Sequence, residues 1–437
     1  MKVLLSAYSC RSNAGSENAV GWNWALGIAA CGHKTFVITR TAYRNDIETA
    51  CEGGSIKNPR FLFHDMSPTI QKLYRVPFGN YFYYLLWQYT AAQVAVRVHA
   101  KERFDLVQHI TWGNFRLPSF MWKLRIPFIF GPVGGGEEVP KKLRQGLGLR
   151  GRIWESLRHT SNLLLTRGPL MKSTYAHATQ IVATTNETLR QIPARYRRKA
   201  RVQLAVGINP VVSYTSADRS SALCPKARCA KLKLLFAGRL LPWKGLHLGL
   251  KSLAALGHQA KDVHFTVVGF GSDEARLKRL ARRLGLEESL SWIPWLENWE
   301  DLIQLYSEFD LYIFPSLHES GGMAVLEALS FGLPVICLDL GGPGISVDNT
   351  CGRVIPTENR TEEEVVRLMS ACVSEILCNP AILESLSMGA RRRVVSFSWH
   401  AIVANTYSQS LVQQVTIEPK STNPRAAQAN GGIGGAS

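Results

Sequence analysis

The 437-residue chain lacks several features that mark particular classes of protein. Its nine cysteines include no Cys-x-x-Cys pair, which favours reduced thiols over a zinc site or a disulfide framework. The most membrane-like stretch, residues 81–87, is followed by Gln88, Gln93 and Arg97 before about 20 apolar residues accumulate. The first seven residues turn polar too soon for a signal-peptide core. We therefore expect a cytoplasmic protein without a membrane-spanning helix.

The first half of the chain has few acidic residues. Residues 1–212 hold 29 Lys and Arg against 11 Asp and Glu, whereas residues 213–437 hold 22 of each. The whole net charge of +18 therefore lies in the first half. This asymmetry predicts that the two halves meet different partners.

Short apolar runs alternate with helical patterns through most of the chain, which is typical of parallel sheets covered on both faces. The predicted strands of the first half are Lys2–Ala7, Lys34–Thr39, Leu106–Ile110, Pro127–Phe130 and Gln180–Ala183. Those of the second half are Leu232–Ala237, His264–Val268, Leu290–Ile293, Asp310–Phe314 and Pro334–Leu338. A polar join at Val212–Lys231 separates the sets. The prediction is an α/β protein with two doubly wound, Rossmann-like domains, and ligands of such sheets bind beyond the carboxyl ends of the strands.

The richest segment for chemistry follows the predicted strand that ends at Phe314. It reads Glu319-Ser320-Gly321-Gly322-Met323 and continues into a helix-forming run that contains Glu327. Free N–H groups at a helix N-terminus form an anion site, and the glycines allow close approach. A carboxylate two turns into the helix could accept hydrogen bonds from ribose hydroxyls. The alternative is an ordinary strand–turn–helix connection with surface glutamates.

Two further strand ends carry candidate ligand groups. After Ala237 the chain reads Gly238-Arg239-Leu240-Leu241-Pro242-Trp243-Lys244-Gly245, which places two cations five residues apart. Arg chelates phosphate and Lys acts as a point charge, although a solvated basic loop would have the same composition. After Val268, Gly269-Phe270-Gly271 forms a glycine turn without the dinucleotide-binding spacing.

In this order, the three segments resemble the retaining family-4 glycosyltransferases of GT-B fold. The similarity extends to Ala14-Gly15-Ser16-Glu17 after the first strand, to Gln108-His109-Ile110-Thr111-Trp112, and to Gly131-Pro132-Val133-Gly134-Gly135-Gly136-Glu137. It covers most of the chain. The first loop departs from the pattern, with one glycine where many members of the family have two.

The resemblance implies a domain organisation. Residues 1–212 are expected to form the acceptor-side domain, 213–231 the linker and 232–395 the nucleotide-sugar-binding domain. A helix within residues 396–414 is expected to cross back to the first domain. Residues 415–437, rich in Gly, Ala, Ser and Asn, are expected to be disordered.

The resemblance also implies residue roles. Arg239 and Lys244 would hold the donor diphosphate, with Gly269 beside the donor. Glu319 would contact the donor sugar, and the amides of Gly321, Gly322 and Met323 would bind sugar or phosphate oxygens.

The resemblance implies further roles on both sides of the cleft. Glu327 would bind the ribose, Gly15 would approach the phosphates, and His109 would face the sugar. Glu319, His109, Arg239 and Lys244 are the implied catalytic set. Glu137 and Trp112 are weaker acceptor-side candidates.

The implied chemistry requires no metal or other cofactor besides the nucleotide-sugar co-substrate. A departing nucleoside diphosphate gains negative charge that fixed cations can stabilise. The chain has no Asp-x-Asp pair to hold a divalent ion. Retention could proceed through a carboxylate nucleophile or by same-face attack of the acceptor, and we expect Glu319 to act through electrostatics and positioning.

Two basic clusters carry the positive charge. Residues 141–158 contain six Lys or Arg and one acid, interleaved with leucines and Trp154, and residues 190–201 contain six cations and no acid. A basic amphipathic segment with Trp is typical of peripheral contact with an anionic membrane. A solvated basic face is the alternative. No nucleic-acid-reading motif accompanies the charge, so no nucleic-acid partner is expected.

The sequence thus predicts a glycosyltransferase that acts on a glycan or lipid-linked acceptor, in exopolysaccharide or other cell-envelope glycan assembly. A nucleotide-sugar epimerase of the same fold is the alternative. A basic nucleic-acid-binding protein with a degenerate site is less favoured, because Arg239, Lys244, Glu319 and Glu327 are all present.

Overall fold

A computed structural model describes most of the chain. The described residues are 1–12, 15–52, 58–209, 231–296 and 299–407. The predicted linker, apart from Lys231, and the predicted disordered tail lie outside them. The seven cysteines among the described residues form no disulfide.

The first domain is built on a parallel sheet of seven strands in the order β3-β2-β1-β4-β5-β6-β7. The strands are β1 (Lys2–Ala7), β2 (Lys34–Thr39), β3 (Arg60–Phe63), β4 (Leu106–Thr111), β5 (Phe128–Val133), β6 (Gln180–Ala183) and β7 (Ala200–Val202). The inner strand β1 is almost entirely buried because helices cover both faces of the sheet.

The helices of the first domain occupy the crossovers between these strands. They are α1 (Ser16–Ala30), α2 (Arg44–Cys51), α3 (Pro68–Gln71), α4 (Gly79–Glu102), α5 (Gly148–Thr166), α6 (Pro169–His177), α7 (Asn186–Gln191) and α8 (Ala194–Arg197). Between β5 and α5, a 3₁₀ segment at Lys141–Leu147 leaves the first domain and buries Leu143 and Leu147 in the apolar core of the second. The two domains are therefore joined by packing as well as by the linker.

The second domain repeats the design with a parallel sheet of six strands in the order β10-β9-β8-β11-β12-β13. The strands are β8 (Leu232–Ala237), β9 (Val263–Val268), β10 (Leu290–Ile293), β11 (Leu311–Phe314), β12 (Val335–Leu338) and β13 (Gly352–Ile355). The helices are α9 (Leu246–Ala254), α10 (Glu274–Arg283), α11 (Trp299–Glu308), α12 (Met323–Ser330), α13 (Pro343–Ser346), α14 (Glu362–Cys378), α15 (Pro380–Val395) and α16 (Trp399–Thr406). The two doubly wound sheets confirm the predicted fold class.

Helix α16 lies against the first domain. Val403 packs beside Gly27 of α1, where an added Cβ would come within 2.7 Å of a Val403 methyl group. Just beyond the helix, the Tyr407 hydroxyl donates to Gln108 of β4. The end of the described chain thus returns to the sheet on which the chain began.

Within the described part of the chain, no single helix has the length and apolarity to cross a membrane. Helices α14 and α15 meet these criteria only when they are counted together, across a bend of 106°.

Candidate functional site

The loops that follow β8 and β11 meet at the carboxyl ends of these neighbouring strands. The β8 loop passes through a 3₁₀ turn at Pro242–Lys244 into α9, and the β11 loop leads into α12. The N–H of Leu317 donates to the carbonyl of Trp243 at 2.9 Å, which fastens one loop to the other. The two predicted segments therefore form one surface.

At this junction the Lys244 ammonium forms an ion pair with Glu319 Oε2. Both side chains are about one-fifth exposed, and the Lys244 nitrogen lies 5.5 Å from the centre of the Phe314 ring. The other carboxylate oxygen, Oε1, accepts the N–H of Gly322 at 3.4 Å, just before α12. A cation, a carboxylate and a helix N-terminus thus meet in one place, while the predicted roles of Lys244 and Glu319 at a donor stay predictions.

The two glycines before α12 are required by the structure for different reasons. Gly322 is the N-cap, with φ +73°. A Cβ on Gly321 would come within 2.8 Å of Val206, in the segment that leaves the first domain, so this position is constrained by packing between domains. Met323 is the first residue of the helix and is partly exposed. The binding of donor oxygens by these amides stays a prediction.

Glu327 lies within α12 and is largely buried. Burial raises the pKa of its carboxyl to about 7, while the hydrogen bond from the Tyr306 hydroxyl, 3.2 Å from Oε2, acts to lower it. The Glu327 carboxylate is therefore a buried hydrogen-bond acceptor, on the helix that follows the Glu319 loop. Contact with a ribose stays a prediction.

Arg239 and Gly269 lie at the ends of adjacent strands. The Arg239 side chain is exposed, and within the described residues it makes no hydrogen bond or ion pair that would hold it away from a ligand. Gly269 has φ +143°, and an added Cβ would lie 1.9 Å from the carbonyl oxygen of Gly238. A side chain at Gly269 would therefore push apart the two loops that carry the candidate donor groups.

Two predicted residues of the first domain, Gly15 and Trp112, lie in the connections that follow β1 and β4. Gly15 caps α1 and is exposed. Trp112 has φ +44° and stacks on Tyr84 with ring centres 5.1 Å apart. The N–H of Gly113 donates to Glu17 Oε1 at 3.2 Å, which ties the loop after β4 to the first turn of α1. Glu17 occurs in the Ala-Gly-Ser-Glu segment that carries the resemblance, but sequence reasoning assigned no role to it.

His109 is fully buried in β4. Its ring stacks on Phe130 at 5.4 Å, its Nε2 lies 3.4 Å from the Tyr84 hydroxyl, and burial lowers its pKa to about 3. The structure does not bring His109 into contact with Glu319 or Lys244. Its role at a donor sugar stays a prediction.

Glu137 is also buried, with 2% of its surface exposed. Its Oε1 accepts the Thr185 hydroxyl at 2.7 Å, the Thr188 hydroxyl at 2.9 Å and, from the second domain, the Ser320 hydroxyl at 3.2 Å. In this structure the Glu137 carboxylate joins the two domains. Its contact with an acceptor stays a prediction. Sequence reasoning missed Ser320 as a bridging residue, although it stands directly beside Glu319.

An open cavity of about 470 Å³ lies between the domains, beyond the ends of β5, β6, β12 and β13. Its charged lining residues are Glu138, Glu187, Arg190, Asp339 and Glu358. The N–H of Gly341 donates to Glu187 at 3.1 Å across this gap. The cavity thus offers polar groups from both domains.

Solved structures of other proteins share the fold of this chain. Anabaena HepE, in complex with UDP, superposes with a TM-score of 0.58 at 15% identity, covering 94% of this chain and 99% of HepE. WaaG, a glycosyltransferase involved in lipopolysaccharide biosynthesis, superposes with a TM-score of 0.53 at 17% identity, covering 92% of this chain and 98% of WaaG. At such identities the likeness establishes the fold, which is the two-domain GT-B fold.

Sequence comparison finds a family model in the second half of the chain. Residues 227–381, about a third of the chain, match the model of glycosyl transferases group 1. A curated relative, the D-inositol 3-phosphate glycosyltransferase of Saccharomonospora viridis, is 31% identical over 176 residues, which are 38% of this chain and 39% of that protein. The chain spans about half or less of the length of the first curated relatives that it matches.

Proposed function

We propose that the protein transfers a sugar from a nucleoside-diphosphate sugar to an acceptor hydroxyl, with retention of configuration. The observation that carries this proposal is the meeting of Lys244, Glu319 and the N-terminus of α12 beside the loops after β8 and β9. The HepE structure contains UDP, which supports a nucleotide ligand for a protein of this fold.

In the proposed reaction, Lys244 and Arg239 stabilise the leaving diphosphate. As the bond between the sugar and the phosphate breaks, negative charge develops on the phosphate oxygens, and fixed cations in a partly desolvated site stabilise that charge most effectively. Lys244 is already held in place by Glu319, so little reorganisation is needed. The exposed Arg239 is free to chelate a phosphate with two N–H groups. Side-chain cations then supply the stabilisation that a divalent ion supplies elsewhere.

Glu319 and Glu327 have separate proposed tasks. Glu319 lies beside the helix N-terminus, where a carboxylate is stabilised, and it orients the donor sugar through hydrogen bonds. Glu327 accepts hydrogen bonds from the ribose hydroxyls. A carboxyl with a pKa near 7 gains from such donors because they replace lost hydration.

Contact with an anionic membrane is the second part of the proposal, and it rests on helix α5. The stripe of α5 that faces the protein is polar and contains Glu155, Arg158, Asn162 and Thr166. The exposed side carries seven large apolar side chains among the exposed polar residues Arg152, Ser156, His159 and Thr160, and these are Leu149, Ile153, Trp154, Leu157, Leu163, Leu164 and Leu165. This is the reverse of a soluble amphipathic helix, and the adjacent Lys141, Lys142 and Arg152 add positive charge. An apolar face with cations beside it suits an anionic lipid surface, and such contact would suit a lipid-linked or other cell-envelope acceptor.

The structure narrows the basic surface that the sequence predicts. In the first cluster Arg158 points inward to the domain interface. In the second, Arg201 donates to Thr406 at 3.1 Å and Lys199 donates to the carbonyl of Ala176 at 2.9 Å. These three cations make internal contacts, and we rest the membrane proposal on residues 141–157, where exposed apolar side chains accompany the charge.

A thermal-shift panel tests the nucleotide site. Ligand at about 100 times its dissociation constant adds about 2.7 kcal/mol of stability, so one of UDP, GDP or ADP is expected to raise the melting temperature by several degrees. Arg239→Ala should abolish most of that rise without lowering the melting temperature of the free protein, because the side chain is exposed. A wild type that responds to none of these nucleotides or their sugars would contradict the proposed donor.

Vesicle flotation tests the membrane contact. The wild type is expected to float with phosphatidylglycerol vesicles at low salt, and less at high salt. The double variant Ile153→Gln/Leu157→Gln should lower the bound fraction about tenfold or more, because two apolar side chains no longer enter the lipid. The matched control, Met388→Gln/Val395→Gln, changes two equally exposed residues of the second domain and should float like the wild type. Equal flotation of both double variants would exclude α5 as the contact.

A further inference from the structure

The inward face of α5 is a hydrogen-bonding surface. Glu155 Oε1 accepts the N–H of Val139 at 2.9 Å, and Asn162 lies 3.4 Å from Glu138. These bonds hold the loop that follows β5. The same helix therefore presents apolar residues to the outside and a polar scaffold to the inside.

Arg158 extends from the middle of this scaffold to both domains. Its guanidinium donates to the carbonyl oxygen of Gly135 at 3.0 Å and to that of Glu137. It also contacts the ring nitrogens of His318, which belongs to the second domain. One side chain thus joins α5, the loop after β5 and the loop after β11.

His318 immediately precedes Glu319. Burial lowers the pKa of its ring to about 3, and the neighbouring cations Arg158, Lys244 and Arg116 act in the same direction. The imidazole is therefore neutral, and a neutral imidazole has the lone pair that an Arg158 N–H needs. The contact is a hydrogen bond from a cation to a neutral ring.

The residue after Glu319 is held by the first domain too. The Ser320 hydroxyl lies 3.2 Å from Glu137 Oε1 and 2.9 Å from the Thr184 hydroxyl. Glu319 is therefore flanked on both sides by residues bound to the first domain, while its carboxylate is bound to Lys244 of the second. The two glycines that follow, Gly321 and Gly322, allow more backbone conformations than other residues would, and these anchors restrict them together with the bond from the Gly342 N–H to the Glu319 carbonyl at 3.0 Å.

We infer that Arg158 is a positioning residue, through which helix α5 holds His318 and so fixes Glu319 against Lys244. This inference deepens the proposed function and rests on it. Arg158 need not touch a substrate, because it acts by limiting the conformations of the Glu319 loop. A displacement of about 1 Å at a reacting centre lowers turnover by a large factor even when binding persists.

The test uses the full chain with UDP-glucose, GDP-mannose and ADP-glucose, and it follows release of the nucleoside diphosphate. Arg158→Met keeps the aliphatic stem and removes the donors, so kcat should fall at least tenfold while the donor KM changes less than threefold. Arg158→Lys should recover only part of the rate, because one ammonium cannot span three acceptors. Arg167→Met, an exposed arginine directly after the same helix, is the matched control and should behave like the wild type.

A double-mutant cycle distinguishes positioning from a general loss of structure. His318→Leu should lower kcat to a similar extent. The double variant Arg158→Met/His318→Leu should have a kcat no lower than that of the slower single variant, since both substitutions remove the contact between Arg158 and His318. Two outcomes would overturn the inference about Arg158 and leave the proposed function standing. One is that the losses in kcat of the two single variants add in the double variant, and the other is that Arg158→Met keeps the kcat of an active wild type. A wild type that releases no nucleoside diphosphate from any of the three donors would overturn the proposed function itself.

Discussion

Replacing Lys244 with alanine is expected to lower kcat by about 10²- to 10³-fold, which is the usual cost of removing one fixed group that stabilises developing charge. Lys244 lies in a partly buried position, where water cannot replace it efficiently. Its loss also leaves Glu319 without its cation, so the carboxylate would repel the leaving diphosphate. Both effects raise the barrier of the same step.

The measurement is nucleoside-diphosphate release under single-turnover conditions, which separates chemistry from product release. The matched control is Lys251→Ala, which breaks a comparable ion pair with Glu362 between α9 and α14, away from the candidate site. Lys251→Ala should keep its rate within a few-fold of the wild type. Equal losses in the two variants would mean that Lys244 acts through stability alone, and a Lys244→Ala variant with full activity would remove it from the mechanism.

The fold was largely predictable because the central strands are continuous apolar runs. Ten strands were predicted, and all ten occur with bounds that shift by at most a few residues. The three that were not predicted, β3, β7 and β13, lie at the edges of their sheets. Edge strands are covered on fewer sides, and β3 and β7 are only partly buried, so their sequences contain no long apolar signal.

The candidate site was predictable where ligand chemistry leaves a local pattern. Lys244 and Glu319 stand in recognisable loops after strands, and the structure brings them together. The contact of Arg158 with His318 joins residues 160 positions apart, and no local pattern encodes it. The charge of Arg158 suggested an outward role, because a sequence shows that a helix is amphipathic without showing which side faces the protein. The buried position of Glu137 was missed because the hydroxyl groups that it accepts, from Thr185, Thr188 and Ser320, are far from it in the sequence.

Gly245→Ala should destabilise the second domain by about 2–5 kcal/mol, and it should displace Lys244 as well. Gly245 has φ +68°, where a residue with a Cβ loses about 1–2 kcal/mol. An added Cβ would also lie 1.9 Å from the carbonyl oxygen of Pro315, in the loop that carries Glu319, and overpacking of this kind costs about 1–3 kcal/mol more. The glycine after Lys244 is thus what allows the two loops to approach.

Gly257→Ala separates the two contributions. Gly257 has φ +59° and no heavy atom within 4 Å of an added Cβ, so alanine there has the backbone strain without the collision. Thermal melts should show a drop of a few degrees for Gly257→Ala and about twice that or more for Gly245→Ala. Only Gly245→Ala should also lose nucleoside-diphosphate release, because only that substitution forces Pro315 and the Glu319 loop away from Lys244. Equal drops in melting temperature with equal activities would contradict this prediction. They would show that the close approach of the two loops does not contribute to the free energy of unfolding, and that it does not determine the pairing of Lys244 with Glu319.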